Sequence, residues 1–300
     1  MEGSPLDRAL TEQRNPASER LDAMSTLEIV DLMNAEDSRV AAAVHGAREA
    51  IAAAVELVVA AFLAGGRLFY IGAGTSGRLG ALDAAECPPT FGTAPQQVQA
   101  VIAGGPEALV RAIEGAEDRA EDGAAALAER GFGPKDVLAG IAACGLTPFV
   151  RGGLEFARSL GARTVFITCN PRVEDLPVAD VVVAVDAGPE VLTGSTRLKA
   201  GTATKLVLNT LTTAAMVRLG KCYGNLMVDL RATNQKLRTR SERILRQLCG
   251  LDEAAARQCL AEAGGELKVA ILMARRGLAR DEAVALLARH GGILRRALGE

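Results

Sequence analysis

Residues 68–92 constrain this chain more than any other stretch. Leu68-Phe69-Tyr70-Ile71 is an apolar run of strand character, and it meets a glycine- and hydroxyl-rich turn, Gly72-Ala73-Gly74-Thr75-Ser76-Gly77, with helix-like sequence beyond. Such a strand–turn–helix presents free backbone N–H groups and the positive end of a helix dipole, which together make an anion site. Thr75 and Ser76 add hydroxyl donors at the same spot. The helix, expected over 77–85, then delivers Glu86 just before Cys87-Pro88-Pro89, where proline should end it. A phosphate cradle followed by a carboxylate at a helix break has the make-up of an active site.

Gly72–Gly77 also fits the dinucleotide pattern G-x-G-x-x-G in its required context. A nicotinamide enzyme should then show an acidic residue about 20 positions farther on. That region holds Gln96, Gln97 and Gln99 and no acid. Thr75-Ser76 suits a small phosphate ester better than a pyrophosphate held by backbone alone. A tight turn with no ligand is the other alternative.

Along the rest of the chain, short apolar runs alternate with helical patterns. Strands are expected at 67–71, 98–102, 136–142, 164–168 and 181–185, with helices starting near Glu107 and Asp118 and spanning 148–160 and 198–219. Short apolar strands separated by helices predict an α/β fold, a doubly wound parallel sheet covered on both faces. Ligands of such sheets sit at the carboxyl ends of the strands, where the loops 72–77, 143–147 and 190–197 carry polar clusters. Before the sheet, residues 1–24 read as an extended arm. Ser25-Thr26-Leu27-Glu28 opens a short helix with capping-box spacing, and 37–64 reads as one long helix stopped by Gly65-Gly66. Residues 250–300 change to short amphipathic helices. The expected organisation is an N-terminal arm with helices at 1–48, a phosphate-binding α/β domain at 49–245 and a small helical domain at 246–300.

Composition narrows the function. A net charge of −2, 3% aromatics and no tryptophan provide neither a basic field nor stacking platforms for nucleic acid. The longest apolar stretch, 51–64, is short and contains Glu56, so it reads as a buried helix rather than a membrane span. No secretory h-region is seen at the start, and the six cysteines show no metal or disulfide spacing. Both point to a reduced, cytoplasmic protein. Of its cysteines, Cys87 adjoins Glu86 but has no histidine nearby in sequence to activate it. Two histidines, His45 and His290, cannot supply a multi-histidine metal site. Proton transfer therefore falls to carboxylates, lysines or tyrosines, of which the carboxylates are the better candidates, with no metal and no cofactor expected.

The run 72–92 strongly resembles the signature of the N-acetylmuramic acid 6-phosphate etherase family, within the sugar isomerase (SIS) domain superfamily. The resemblance continues through Glu114-Gly115-Ala116-Glu117-Asp118, through residues 190–202 (Glu190-Val191-Leu192-Thr193-Gly194-Ser195-Thr196-Arg197-Leu198-Lys199 and onward) and through Gly224-Asn225-Leu226-Met227-Val228-Asp229. The opening Thr11-Glu12-Gln13-Arg14-Asn15-Pro16 is similar as well, so it covers nearly the whole chain. It implies a flavodoxin-like three-layer sandwich that converts N-acetylmuramic acid 6-phosphate and water into N-acetylglucosamine 6-phosphate and D-lactate. It further implies Glu86 and Glu117 as the catalytic pair. Glu86 would protonate the departing lactate oxygen, and Glu117 would act at C2 or in hydration. Without the resemblance, Glu114, Glu117, Asp118 and Glu121 read as an exposed acidic helix face. Gly74, Thr75, Ser76, Thr147, Ser195 and Thr196 are the expected substrate contacts. Lys199 and Arg197 are candidate phosphate partners, and Glu190 stands where related sugar isomerases keep an acid.

Cys144 and Leu146 depart from the family pattern, where serine and arginine are expected. A non-enzymatic sugar-phosphate sensor and an aldose–ketose isomerase are the competing readings. The retained glutamates oppose the first, and the Glu86-Cys87-Pro88-Pro89-Thr90 segment opposes the second. Geometry adds one more expectation. A continuous helix from Gly77 would carry Glu86 roughly 15 Å from the phosphate turn, beyond the reach of a hexose phosphate. Either the helix breaks early, near Gly80, or a second subunit completes the site. A homodimer with sites near its interface follows, as the family resemblance also implies.

Overall fold

The computed structural model describes residues 9–171, 176–230 and 235–300. Helix α1 (Thr26–Asp37) opens with the expected capping box, longer than the short helix anticipated: the Ser25 hydroxyl accepts the Glu28 N–H while Glu28 accepts the Ser25 N–H. The single helix expected over 37–64 is instead two, α2 (Val40–Gly46) and α3 (Arg48–Leu63). Gly46 weakens the helix at that point, and Ala47 turns its N–H back to Val44 at 3.0 Å. The stop at Gly65-Gly66 is a Schellman closure, with Gly65 at φ +76° and Gly66 N–H bonded to Ala61 O at 2.8 Å.

Five strands then form one parallel sheet: β1 (Leu68–Gly72), β2 (Val98–Ile102), β3 (Val137–Ile141), β4 (Arg163–Thr168) and β5 (Val181–Ala184). Their order is β2-β1-β3-β4-β5. The chain steps from β1 to β2 on one side and returns to β3 on the other. The carboxyl ends of β1 and β3 therefore flank the switch point, where ligands of such sheets bind. Helix α4 (Gly74–Phe91) links β1 to β2, α5 (Ala120–Glu129) precedes β3, α6 (Pro148–Ser159) links β3 to β4, and α7 (Lys199–Arg218) follows β5. Where a helix was expected from Glu107 there is a short 3-10 turn, Pro106–Leu109.

The layers follow from alternation along the strands. Phe69, Ile71, Leu138 and Phe166 pack with Leu127 of α5 and with Phe149 and Leu154 of α6. Tyr70 points the opposite way, beneath α4. Helix α3 packs against β1, β3 and β5, so both faces are covered and the three-layer α/β sandwich read from the sequence is the fold observed.

The chain divides into two compact units, Met1–Ala85 with Gln96–Thr212, and Glu86–Pro95 with Thr213–Glu300. The second holds a hairpin, β6 (Cys222–Tyr223) and β7 (Leu226–Met227), whose two-residue turn places Gly224 at φ +56°. Its helices are α8 (Gln235–Cys249), α9 (Glu253–Glu262), α10 (Leu267–Arg276), α11 (Arg280–Arg289) and α12 (Leu294–Leu298). Leu245, Ala256, Leu267, Ala270, Ile271 and Leu294 form its core. This helical unit is larger than the 246–300 read from the sequence.

The expected end of the helix after β1 also fails. Helix α4 does not end before the prolines but runs through Pro88 and Pro89 to Phe91. The two missing N–H groups leave the carbonyls of Ala84 and Ala85 without helical partners, yet proline's fixed φ is itself helical. Gly92, at φ +64°, closes the helix by donating to Pro88 O at 3.0 Å.

Helices α5 and α6 touch backbone to backbone. A Cβ on Gly123 would lie 2.0 Å from Phe149 O, and one on Gly152 would lie 2.0 Å from Ala120 O. Gly152→Ala is therefore expected to lower unfolding free energy by about 1–3 kcal/mol in urea titration. Gly133→Ala, where nothing stands within 4 Å, should stay within about 0.5 kcal/mol.

Candidate active site

The turn after β1 is built from glycines that cannot be replaced without displacing backbone. Gly74 sits at φ +52°. A Cβ on Gly72 would stand 2.8 Å from Gly77 N, and one on Gly77 would stand 2.7 Å from Gly72 O and 2.6 Å from Ile102 Cγ1. At Gly80 it would meet Tyr70 Cβ at 2.9 Å. Helix α4 thus starts pressed onto the sheet, with its first-turn N–H groups lacking helical acceptors. Thr75 and Ser76 are half-buried, and among the described residues no hydrogen bond engages either hydroxyl.

The loop before α7 adjoins this turn. A Cβ on Gly201 would stand 3.6 Å from Thr75 Cγ2 and 3.5 Å from Thr196 O. Ser195 and Thr196 are half-buried there, and Arg197 is exposed. Glu190 is fully buried and accepts the N–H groups of Lys199 and Ala200, each at 2.9 Å, so it caps α7. Burial pushes its carboxyl above the usual range, against those N–H bonds and the Lys199 charge. The Lys199 ammonium lies 2.5 Å from Glu36, both side chains being more than nine-tenths buried. Glu36 also takes Asn15 at 2.8 Å and Arg39 at 3.0 Å. Burial raises the Glu36 carboxyl, but the bonds from Lys199 and Asn15 outweigh it and hold it below its ordinary value. Glu190 and Lys199, expected to touch substrate, spend their polar atoms inside the protein.

Between β3 and α6, Asn170 Nδ2 donates to Cys144 O and Thr168 Oγ1 to Ala143 O, both at 3.1 Å, fixing the loop that ends in half-buried Thr147. Residues 114–118 form a turn ahead of α5 rather than the helix face read from charge spacing. That turn is fastened to α6, because Glu117 O accepts the Phe149 N–H at 3.0 Å. The Glu117 side chain is exposed at the surface. Partial desolvation first, then the charges of Asp118 and Glu114, lift its carboxyl above the ordinary range. Cys144 is placed so that its thiol is raised by burial and further by the charges of Glu117 and Glu12.

The N-terminal arm closes the same rim. Leu10 N–H donates to Asn170 Oδ1 at 3.2 Å, Gly194 N–H to Thr11 O at 3.1 Å, and Asn15 Nδ2 to Pro189 O at 3.2 Å. In the sequence Glu12 stands out only as part of the family pattern. Nothing local marks it, since its neighbours come from loops far along the chain.

The first unit thus gathers Gly74, Thr75, Ser76, Thr147, Glu117, Ser195 and Thr196 at the carboxyl ends of its strands. Glu86 is exposed on α4 beyond the boundary between the units. The helix is unbroken at Gly80, where an early break was one of the two alternatives read from the sequence. Among the described residues no group of three or more His, Cys, Asp or Glu is arranged to hold a metal ion, and no helix is long and apolar enough to cross a membrane.

Removing one partner of a buried ion pair leaves an uncompensated charge. Lys199→Met should therefore lower unfolding free energy by about 3 kcal/mol, read by chemical denaturation. Unchanged stability with a raised KM would instead place the lysine on substrate.

Comparison with known proteins bears on this geometry. Residues 50–158 match the family described as "Glucokinase regulatory protein N-terminal SIS domain". Phosphoheptose isomerase from Neisseria gonorrhoeae overlays with a TM-score of 0.47 at 19% identity, covering 64% of this chain and 99% of that one. Along the full sequence the relatives are far nearer. The N-acetylmuramic acid 6-phosphate etherase of Synechocystis is 53% identical over 96% of this chain and 95% of its own. That of Synechococcus elongatus is 55% identical over 99% and 98%, and that of Gloeobacter violaceus 57% identical over 88% and 86%. Likeness of this extent settles the family: the chain belongs to the N-acetylmuramic acid 6-phosphate etherases.

Proposed function

We propose that this chain is a carbon–oxygen lyase that cleaves the D-lactyl ether of N-acetylmuramic acid 6-phosphate, giving N-acetylglucosamine 6-phosphate and D-lactate. Identity above one half with named etherases along nearly the whole chain carries the reading. The site's inventory agrees with the chemistry. In the ring-opened sugar, the C2 proton is α to the aldehyde and the lactyl ether at C3 is the β leaving group. Elimination needs a base at C2–H and an acid at the departing oxygen, after which water adds across the alkene. Two carboxyls in different environments suffice, with neither metal nor redox cofactor.

The phosphate docks at the start of α4, on the N–H groups of Gly74–Ser76 and the Thr75 and Ser76 hydroxyls. Thr147, Ser195 and Thr196 add hydroxyl contacts from the neighbouring strand ends. Glu117 serves at C2, and its raised carboxyl pKa moves it toward the working pH of a general base. Glu86 protonates the lactate oxygen. Helix α4 does not break at Gly80, which leaves the other alternative: Glu86 acts in a site completed by a second copy of the chain. The active protein in this reading is a cytoplasmic homodimer with its sites near the interface.

Glu86→Gln and Glu117→Gln should each lower D-lactate release by about 10²–10⁴-fold without unfolding the protein. Product formed in D2O should carry deuterium at C2; product without it would require direct displacement instead. Base catalysis by Glu117 predicts that kcat/KM falls on the acid side, with its midpoint above the ordinary carboxylate range.

Subunit sharing has its own measurement. Mixing Ser76→Ala with Glu86→Gln chains yields heterodimers that regain one intact site if Glu86 acts across the interface. Absence of any recovery, or full activity from a monomer, would overturn that arrangement.

A further inference from the structure

Glu12 is held in place by its backbone, and among the described residues its carboxylate is unpaired. Its N–H donates to Ala9 O at 2.9 Å, and Leu10, Thr11 and Asn15 on either side are bonded to Asn170, Gly194 and Pro189. The side chain is half-buried, yet among the described residues it has no hydrogen-bond or ion-pair partner. It faces the loop before α7: a Cβ on Gly194 would lie 3.0 Å from Oε2 and 3.9 Å from Oε1. Gly194 directly precedes Ser195 and Thr196. The charge of Glu12 also reaches the Cys144 thiol, as does that of Glu117. The arm therefore brings a free carboxylate to the rim that holds the expected substrate contacts.

We propose that Glu12 is a specificity-determining residue, accepting hydrogen bonds from hydroxyl groups on the carbon chain of the sugar phosphate. The inference rests on the substrate reading given above. A half-buried carboxylate without a donor is costly, and a ligand rich in O–H groups supplies what the protein does not. Repulsion keeps the phosphate away from Glu12, which fits its docking at the Thr75–Ser76 turn and leaves the hydroxyl-bearing part of the chain for the arm. Glu12 thereby selects polyhydroxylated substrates of one orientation, with the phosphate at α4 and the sugar carbons under the arm.

The test compares full-length wild type with Glu12→Gln, measuring D-lactate release from N-acetylmuramic acid 6-phosphate together with thermal unfolding. The expected result is a KM raised about tenfold or more, the loss of one hydrogen bond to a charged group. In this outcome kcat stays within about threefold and the melting temperature is unchanged. An unchanged KM overturns the proposal, and so does a fall in melting temperature that accounts for the lost activity. If the glutamine variant does not fold, Glu12→Asp retains the charge but withdraws it by one methylene, and it should raise KM without lowering the melting temperature. Failure of the wild type to release D-lactate would count against the etherase reading itself, separately from the role of Glu12.

Discussion

The close seating of α4 on β1 is the constraint on which the rest of the site depends. Gly72 and Gly77 are near enough that a methyl on either would strike the backbone of the other, and Gly80 leaves room for Tyr70. Only that approach brings the start of the helix flush with the strand ends. Asp83, three residues farther along, then takes hydrogen bonds from Tyr70 at 2.8 Å, Asn209 at 2.7 Å and Thr212 at 3.2 Å. Burial lifts its carboxyl above the usual range against those bonds. Helix α4 is thereby joined to α7, and the turn bearing Thr75 meets the loop bearing Thr196.

A second polar cluster does the same for the other side of the site. Buried ion pairs gain little net stability, since desolvation offsets much of their attraction. The worth of Glu36–Lys199 lies in its geometry. One carboxylate gathers Asn15 from the arm, Arg39 from the segment between α1 and α2, and Lys199 from the first turn of α7. Glu190 fixes the same turn from within by accepting two of its N–H groups. Charged residues beside the 190–197 loop thus hold that loop in shape.

Much of the fold was legible because buried parallel strands announce themselves as short apolar runs between helical stretches. The runs expected at 67–71, 98–102, 136–142, 164–168 and 181–185 each hold one strand of the sheet, with ends shifted by a residue or so. Features governed by a single backbone group were less legible. The break at Ala47 and the passage of α4 through two prolines depend on hydrogen bonds that no periodicity encodes. The candidate site divides in the same way. Glycines and hydroxyls at 72–77 carry their meaning locally, whereas Lys199 looks like a phosphate partner until Glu36 is seen beside it. The meaning of Glu12 comes from Gly194 and Cys144, which the sequence does not place near it.

The arm also sets an order of events in time. Its partners Asn170, Pro189 and Gly194 lie 160, 174 and 183 positions after the residues they bind, Leu10, Asn15 and Thr11. At ribosomal rates of about 5–20 residues per second, the arm emerges roughly 8–37 s before the residues it must bind. For that interval Asn15 and Glu36 have no Pro189 or Lys199 to meet, and a nascent sheet can form while its rim stands open. Docking of the arm is thus among the late steps of maturation, and assembly of a complete site waits on the making of α7.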